Sequence, residues 1–394
     1  MEILTNNVTE ALFALISFAG EIPRETKISG INSRTIQNQL SICKKKRLLK
    51  IDKKHDRIRI MAPAGLEYMK NFSEEAYAHY MMISNNHQFR TEARNVLNQK
   101  LLSTTILAMI RNGYEIDNLS IVHESNNFGK NENTEDVLLS VIGEGLFSIG
   151  DDHFSQNGEV VPILESSKLS IGKKFYTSKY LKYGFPVTHR INFSNIMGIM
   201  LSEKNVYKVY HITEDTKIQK QAEQPMEQWI KEICQRAYSE EEFRAISGKE
   251  LPAILYTEDT KSQLRKMKKL VNNFTQFHLI PSDPHGDKVI KILSCENWQA
   301  KISEALFGSE ANTPFCDGML VIEGTALPSW ELLSCDYTKI KTARNLAGKN
   351  PIALVCFSWQ KEIIKDLLKG MNVQVKILNK KQEDILFEFL DQKG

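Results

Sequence analysis

The chain has 394 residues, 42% hydrophobic and 25% charged, which suits two or three globular domains and excludes a disordered or fibrous protein. No apolar run approaches the roughly 20 residues of a membrane helix, and the opening MEILTNNVTE lacks a signal-peptide pattern, so a cytoplasmic protein with no membrane partner is expected. Net charge is only +3, but residues 1–60 carry 12 Lys+Arg against 6 Asp+Glu, the local surplus expected of a surface that meets a polyanion.

The spacing of Val8, Leu12, Leu15, Ile16 and Ala19 predicts a helix over about Thr9–Ala19, ended by Gly20. Pro23 suits the first turn of a short second helix, PRETKIS, and Gly30 supplies the turn after it. Asn32 or Ser33 would cap a third helix. There Ile36, Leu40 and Cys43 share one face, while Arg34, Gln37, Asn38, Ser41 and Lys45 share the opposite one. After Leu48 and Leu49, two short strands flank a charged turn over Lys53–Asp56; the second alternates as Arg57-Ile58-Arg59-Ile60. Ile58 and Ile60 are expected to point inward, and Arg57 and Arg59 outward.

This is the pattern of a recognition helix followed by a β-wing, and double-stranded DNA is the partner it implies. Gln37 and Asn38 can pair bidentately with adenine and Arg34 with guanine, with Ser33, Thr35, Ser41 and Lys45 beside them. Lys44, Lys46, Arg47 and Lys50, with Lys53, Lys54, Arg57 and Arg59 of the wing, suit phosphate contacts blind to sequence. The competing readings are a protein-contact module of the same shape and a basic helix that is simply solvated.

Pro63 opens a helix, PAGLEYM, that closes an N-terminal domain over 1–72. One or two long helices follow within 73–117, a linker or a homodimerisation segment, or else helices packed within their own chain. ESNNFGKNENTED, residues 124–136, reads as a loop. A mixed α/β region over 118–248 holds a hairpin, IMGIMLSEKNVYKVYHI, and a helix near Pro225–Ala237. Over 249–394 the strands LPAILYT, FTQFHLI, KVIKILS, GMLVIEG, WELLS, PIALVCF and VQVKIL alternate with helices, which implies a largely parallel sheet. The fold class is therefore multidomain α+β with a C-terminal α/β sheet. PAILYTEDTKSQLRKMKKLVNN echoes PIALVCFSWQKEIIKDLLKG, and KILSCENW echoes ELLSCDYT, as a duplication would.

The chain carries no P-loop, no G-x-G-x-x-G after a strand and no G-x-S-x-G elbow. The six cysteines form no C-x-x-C pair and sit mostly in apolar runs, so neither a metal site nor disulfides are expected of them. Tyr176, Tyr180 and Tyr183 lack an accompanying histidine pair and read as structural aromatics. The best catalytic constellation is Asp317, Glu331, Asp336 and Lys339. Restriction-endonuclease-type enzymes hold Mg²⁺ on an Asp and an acidic-x-Lys pair, but here Lys339 follows Glu331 by eight residues rather than two. Outside that alternative no cofactor is expected. A basic helix over 261–271, with Lys261, Arg265, Lys266, Lys268 and Lys269, is a second phosphate-binding candidate or a solvated face.

NSRTIQNQLSICKKKRLLK, the wing, APAGLEYM and RTEARNVLNQKLLSTTILAMIRNGYEI together resemble the winged-helix replication-relaxation-type proteins of plasmids and integrative conjugative elements. FYTSKYLK, MGIMLSEKNVYKVYHI and FHLIPSDPHG extend the resemblance over about two thirds of the chain. It implies DNA binding in replication, transfer or transcription control of a mobile element, in company with other replication or transfer proteins. Some members carry a nuclease-like C-terminal part, from which this sequence departs at Glu331 and Lys339. A third reading is a regulator whose α/β region senses a small molecule or peptide.

Overall fold

The computed structural model describes residues 2–28, 31–83, 93–123, 153–156, 159–162, 169, 172–185, 196–202, 204–214, 216, 220–247, 250–266, 274–308, 316–347 and 350–391. Within these bounds the chain is mixed α and β and divides into two compact units, Met1–Ser170 with Lys174–Val187, and Ile171–Lys173 with Thr188–Gly394. The expected turn at Gly30, the loop over 124–136, and Lys268 and Lys269 lie outside the described residues.

In chain order the first unit holds β1 (Glu2–Thr5), α1 (Val8–Ala19), β2 (Ile22–Pro23), α2 (Ser33–Lys45), β3 (Leu49–Asp52), β4 (Arg57–Ile60), α3 (Ala64–Phe72), α4 (Glu74–Ile83), α5 (Ala93–Arg111), β5 (Glu115–Ile116), β6 (Ser120–His123), a β7–β8 hairpin (His153–Gln156 and Glu159–Pro162), β9 (Lys174–Thr177) and α6 (Ser178–Gly184). α1 is its centre. Asn7 accepts from Glu10 N at its start, while Glu10 Oε2 accepts from Asn6 N at 2.7 Å. Of its 12 residues only Thr9 is not buried, the signature of a helix packed on every side. Gly20 ends it at φ +74°, a left-handed conformation that glycine adopts without steric cost.

The second helix expected over PRETKIS is replaced, within the described residues, by strand and turn. Pro23 lies in β2, which pairs antiparallel with β4 in a three-stranded sheet of order β2-β4-β3. β2 is an edge strand, where proline's missing donor costs no ladder bond. The described residues of the expected linker or dimerisation segment, 73–83 and 93–117, fall within this same unit and are fastened to α1. His79 Nδ1 lies 2.8 Å from Ser17 O, and Gln99 Nε2 donates to Ala19 O at 2.9 Å. β6 pairs in parallel with β1, tying residues 120–123 to the N-terminal strand.

The second unit holds β10 (Ile196–Leu201), β11 (Val206–His211), α7 (Lys220–Cys234), α8 (Glu240–Ser247), β12 (Ala253–Thr257), α9 (Thr260–Arg265), β13 (Phe277–Pro281), α10 (Pro284–Leu293), α11 (Trp298–Phe307), β14 (Gly318–Ile322), β15 (Thr325–Glu331), α12 (Lys339–Ala347), β16 (Ile352–Cys356), α13 (Lys361–Leu367), β17 (Val373–Ile377) and α14 (Lys380–Asp391). The expected hairpin is β10–β11, and β11, β12 and β13 run parallel beside it. Residues on either side of the expected 248/249 boundary therefore share one sheet. A second sheet has the order β14-β15-β16-β17, with β14 antiparallel and the other three parallel.

KVIKILS, expected as a strand, is helical in α10. Asp283 caps it and Pro284 occupies its first turn, while Val289, Ile290, Ile292 and Leu293 are buried at helical spacing. KILSC is thus a helix end and ELLSC a strand end, so their sequence echo is not a structural repeat. In the other echo, the described residues of each copy form a strand and then a helix, β12–α9 and β16–α13.

Candidate functional site

α2 presents its two faces as its periodicity requires. Asn32 Oδ1 accepts from Arg34 N at 2.8 Å and starts the helix. Ile36, Leu40 and Cys43 are buried inward. Burial pushes the Cys43 thiol up to about 11, so it serves there as a small hydrophobe. Ser33, Arg34, Gln37, Asn38, Ser41, Lys44 and Lys45 are exposed, and Thr35 is half-buried. α2 contains no acidic residue. Lys46, Arg47 and Lys50 continue the exposed basic surface from the helix end into β3, and Lys53 and Lys54 expose a pair of cations at the tip of the β3–β4 hairpin.

Arg57 and Arg59 correct the expected alternation. They are 3% and 8% exposed, turned into the protein rather than out along the hairpin. Arg57 donates through Nε to Asp52 Oδ2 at 3.2 Å and through a terminal nitrogen to Glu21 Oε2 at 3.4 Å; Arg59 Nε lies 4.0 Å from the same Glu21 oxygen. Glu21 is itself buried, and burial pushes its carboxyl above the usual range despite both guanidiniums. Burial also works against the Asp52 carboxylate. Hydrogen bonds from His55 and Arg57 outweigh it and hold Asp52 down to about 2. Asp52 Oδ1 accepts from the backbone N–H groups of Lys54 and His55, so one carboxylate shapes the turn that carries the two lysines. Glu21 and Asp52 were not foreseeable as site residues. Glu21 lies 36 residues before Arg57, a separation no local pattern reports.

The hairpin is also docked from behind. Met61 N donates to Leu48 O at 2.9 Å, and a Cβ at Gly65 would meet that same oxygen at 2.2 Å. Glycine at the start of α3 therefore lets the helix approach the hairpin base closely.

In the second unit three of the four catalytic candidates converge. Lys339 Nζ donates to Asp317 Oδ2 at 2.7 Å and to Glu331 Oε1 at 2.5 Å. Asp317 immediately precedes β14, Glu331 ends β15, and Lys339 begins α12. Glu331 N donates to Asp317 Oδ2 at 2.9 Å, and Ser334 serves both Glu331 oxygens through its backbone N–H and hydroxyl. A lysine at a helix N-terminus opposes the helix dipole, so the two carboxylates account for its position. Burial would lower the Lys339 pKa, but Glu331 and Asp317 raise it above its ordinary value. Burial likewise works to raise Glu331, and Lys339 and Ser334 outweigh it. Asp317 is raised by burial, with Lys339 opposing.

Asp336 is not brought to Lys339 by any described hydrogen bond; it accepts from Thr338 and, at 3.3 Å, from Gln276 Nε2. Next to the cluster, His278 is fully buried. Its Nδ1 stands 2.8 Å from Ser334 O, and burial lowers its pKa. Ser334, Gln276 and His278 escaped sequence reading because β13 meets the 334–336 segment only through tertiary structure, by Leu279 N donating to Cys335 O at 3.0 Å.

Two carboxylates, one of them 23% exposed, form a donor set that suits a divalent cation binding through one or two protein ligands plus water and phosphate oxygens. No group of three or more His, Cys, Asp or Glu suited to a metal occurs among the described residues. The second basic helix is described through Lys266, its C-terminal cap; Lys261 pairs with Asp366 at 2.6 Å and Lys266 with Glu214 at 3.5 Å. Tyr176 and Tyr180 are buried and stacked, with Asn118 between their hydroxyls. No helix among the described residues is long and apolar enough to cross a membrane.

Comparison with known proteins gives no match: no family model, no curated protein and no solved structure is similar to the chain.

Proposed function

We propose that this is a sequence-specific double-stranded DNA-binding protein whose N-terminal unit is a winged helix-turn-helix module. In this reading α2 lies in the major groove, the β3–β4 hairpin is the wing, and the protein acts in the cytoplasm, as a homodimer, in replication, transfer or transcription control of a mobile genetic element. The observation that carries it is the exposed face of α2. Arginine, amide, hydroxyl and lysine side chains share that face with no carboxylate, and it runs without interruption into Lys46, Arg47 and Lys50. Fluorescence anisotropy of the full-length chain on labelled genomic duplexes tests it. The double variant Arg34→Glu, Lys45→Glu is expected to lose binding, and unchanged affinity in that variant contradicts the proposal.

A second reading, a DNA-cleaving activity in the other unit, is favoured by one observation: Lys339 reaches both carboxylates in spite of its distance from Glu331 in sequence. Asp317 and Glu331 would hold a divalent cation, which when bound supplies positive charge against a phosphodiester. Lys339 would keep both carboxylates oriented, and its own ammonium would meet phosphate charge. Cleavage of duplex DNA with Mg²⁺ or Mn²⁺, lost in Asp317→Ala, is the expected result; inertness of the unaltered chain on duplex, nicked and single-stranded DNA eliminates this reading.

A further inference from the structure

The exposed face of α2 divides into side chains already engaged within the protein and side chains that are not, a division that rests on the DNA-binding reading and goes beyond it. Gln37 Nε2 donates to Arg24 O at 3.2 Å, holding the segment that leads from β2. Ser41 Oγ donates to Gln37 O at 3.0 Å. Arg34 and Asn38, also exposed, make no side-chain hydrogen bond or ion pair among the described residues. They stand four positions apart, hence on one stripe of the helix, with Ser41 and Lys45 continuing it.

A rise of about 1.5 Å per residue separates Arg34 from Asn38 by about 6 Å along the helix axis. That spans one or two base-pair steps of DNA, at roughly 3.4 Å each, according to how the helix is inclined in the groove. A guanidinium fork matches O6 and N7 of guanine, and a carboxamide matches N6 and N7 of adenine. Each pairing needs the head free to turn two adjacent polar groups toward a base edge; Arg34 and Asn38 are free to do so, whereas Gln37 Nε2 is already held toward Arg24 O. We infer that Arg34 and Asn38 are the specificity-determining pair, reading a guanine and an adenine one or two base pairs apart in the major groove, while Gln37 positions the preceding turn. The choice of a polyanion over a protein partner follows from charge: the face is acid-free and adjoins Lys44, Lys45 and Lys46.

The test is selection by the full-length chain from duplexes with a randomised central segment, repeated with Arg34→Ala, Asn38→Ala and Gln37→Ala. The unaltered chain is expected to enrich guanine and adenine at that spacing. Arg34→Ala should flatten the guanine position and Asn38→Ala the adenine position, each by on the order of tenfold to a hundredfold. Gln37→Ala should retain both preferences. Melting temperatures equal to that of the unaltered chain show that the exposed substitutions leave the fold intact. A motif unchanged in both the Arg34 and Asn38 variants, or retention of duplexes with no base preference, overturns this assignment and leaves duplex binding standing. Failure of the unaltered chain to retain any duplex overturns the DNA-binding reading itself.

Discussion

Arg57 donates through Nε to Asp52 Oδ2 at 3.2 Å, so a cation that simple alternation places outside the hairpin is engaged inside it. Its other partner, Glu21, is buried with it. Breaking a buried ion pair by removing one partner costs about 3–5 kcal/mol, because the other charge is left without compensation. Arg57→Met is therefore expected to lower the melting temperature of the chain markedly. Lys53→Ala and Lys54→Ala, at exposed positions, should change stability by no more than about 0.5 kcal/mol. Thermal unfolding of the three variants checks the contrast.

The same lysines separate stability from binding. Each phosphate contact contributes about 0.9 to the slope of log affinity on log salt. The double variant Lys53→Ala, Lys54→Ala should therefore bind duplex DNA with a slope shallower by about 2 if both lysines meet phosphates. Arg57→Met, assayed below its melting temperature, should leave the slope as it is. Anisotropy titrations across a range of salt concentrations measure both.

The Lys339–Glu331 pair predicts how the second unit responds to pH. Glu331 has its pKa lowered in the folded state, so its contribution is present above the ordinary carboxylate value of about 4.3 and is lost as pH falls through the folded value. Lys339 has its pKa raised, so its contribution is complete below about pH 10.4 and is lost as pH rises through the folded value. Asp317, raised by burial, acts in the opposite sense to Glu331 and withdraws stability as pH rises from about 3.9 through its folded value. Glu331→Gln should flatten the acid limb of a stability-against-pH curve measured by denaturant unfolding. An acid limb unchanged in that variant contradicts the assignment.

His79 is expected to matter to the first unit far from any proposed contact with DNA. Its ring nitrogens face Ser17 O at 2.8 Å and Asp117 Oδ2 at 2.9 Å, both within the buried interior. Asp117 also accepts from Thr177 N and Oγ1, so one buried carboxylate joins α4 to the start of α6. His79→Leu removes one hydrogen-bond partner from the buried Asp117 and another from Ser17 O, with an expected loss of about 1–3 kcal/mol. Its effect on DNA affinity at low temperature should be small. Unfolding and binding measured on the same sample test both halves.

Gly65→Ala probes how tightly the hairpin is held. The added Cβ would meet Leu48 O, a backbone atom that cannot rotate away. Overpacking of this kind costs about 1–3 kcal/mol. The loss should appear as earlier hydrogen exchange at Met61 N, which donates to that same carbonyl.

The two faces of α2 were legible in the sequence because Ile36, Leu40 and Cys43 repeat at helical spacing and nothing distant competes with them. The β3–β4 hairpin was legible as a pair of strands, but the direction of Arg57 and Arg59 was not. That direction depends on Glu21, which reaches them only through the pairing of β2 with β4. KVIKILS misled because its paired apolar residues fit a short strand as well as the inner face of a helix, and the decision lay with Asp283 and Pro284 upstream. In the acidic cluster the residue types were visible and their proximity was not. The spacing from Glu331 to Lys339 fits no single strand; the chain turns through residues 332–338 and returns the lysine at the head of α12.

The dependence of duplex affinity on salt concentration, measured for the full-length chain, tests the central claim most directly. The exposed basic surface of α2 and the hairpin predicts that log affinity falls linearly with log salt, with a slope steeper than about −3, as expected when several phosphates are neutralised. Duplex binding that is absent at low salt, or that is insensitive to salt, would contradict the account.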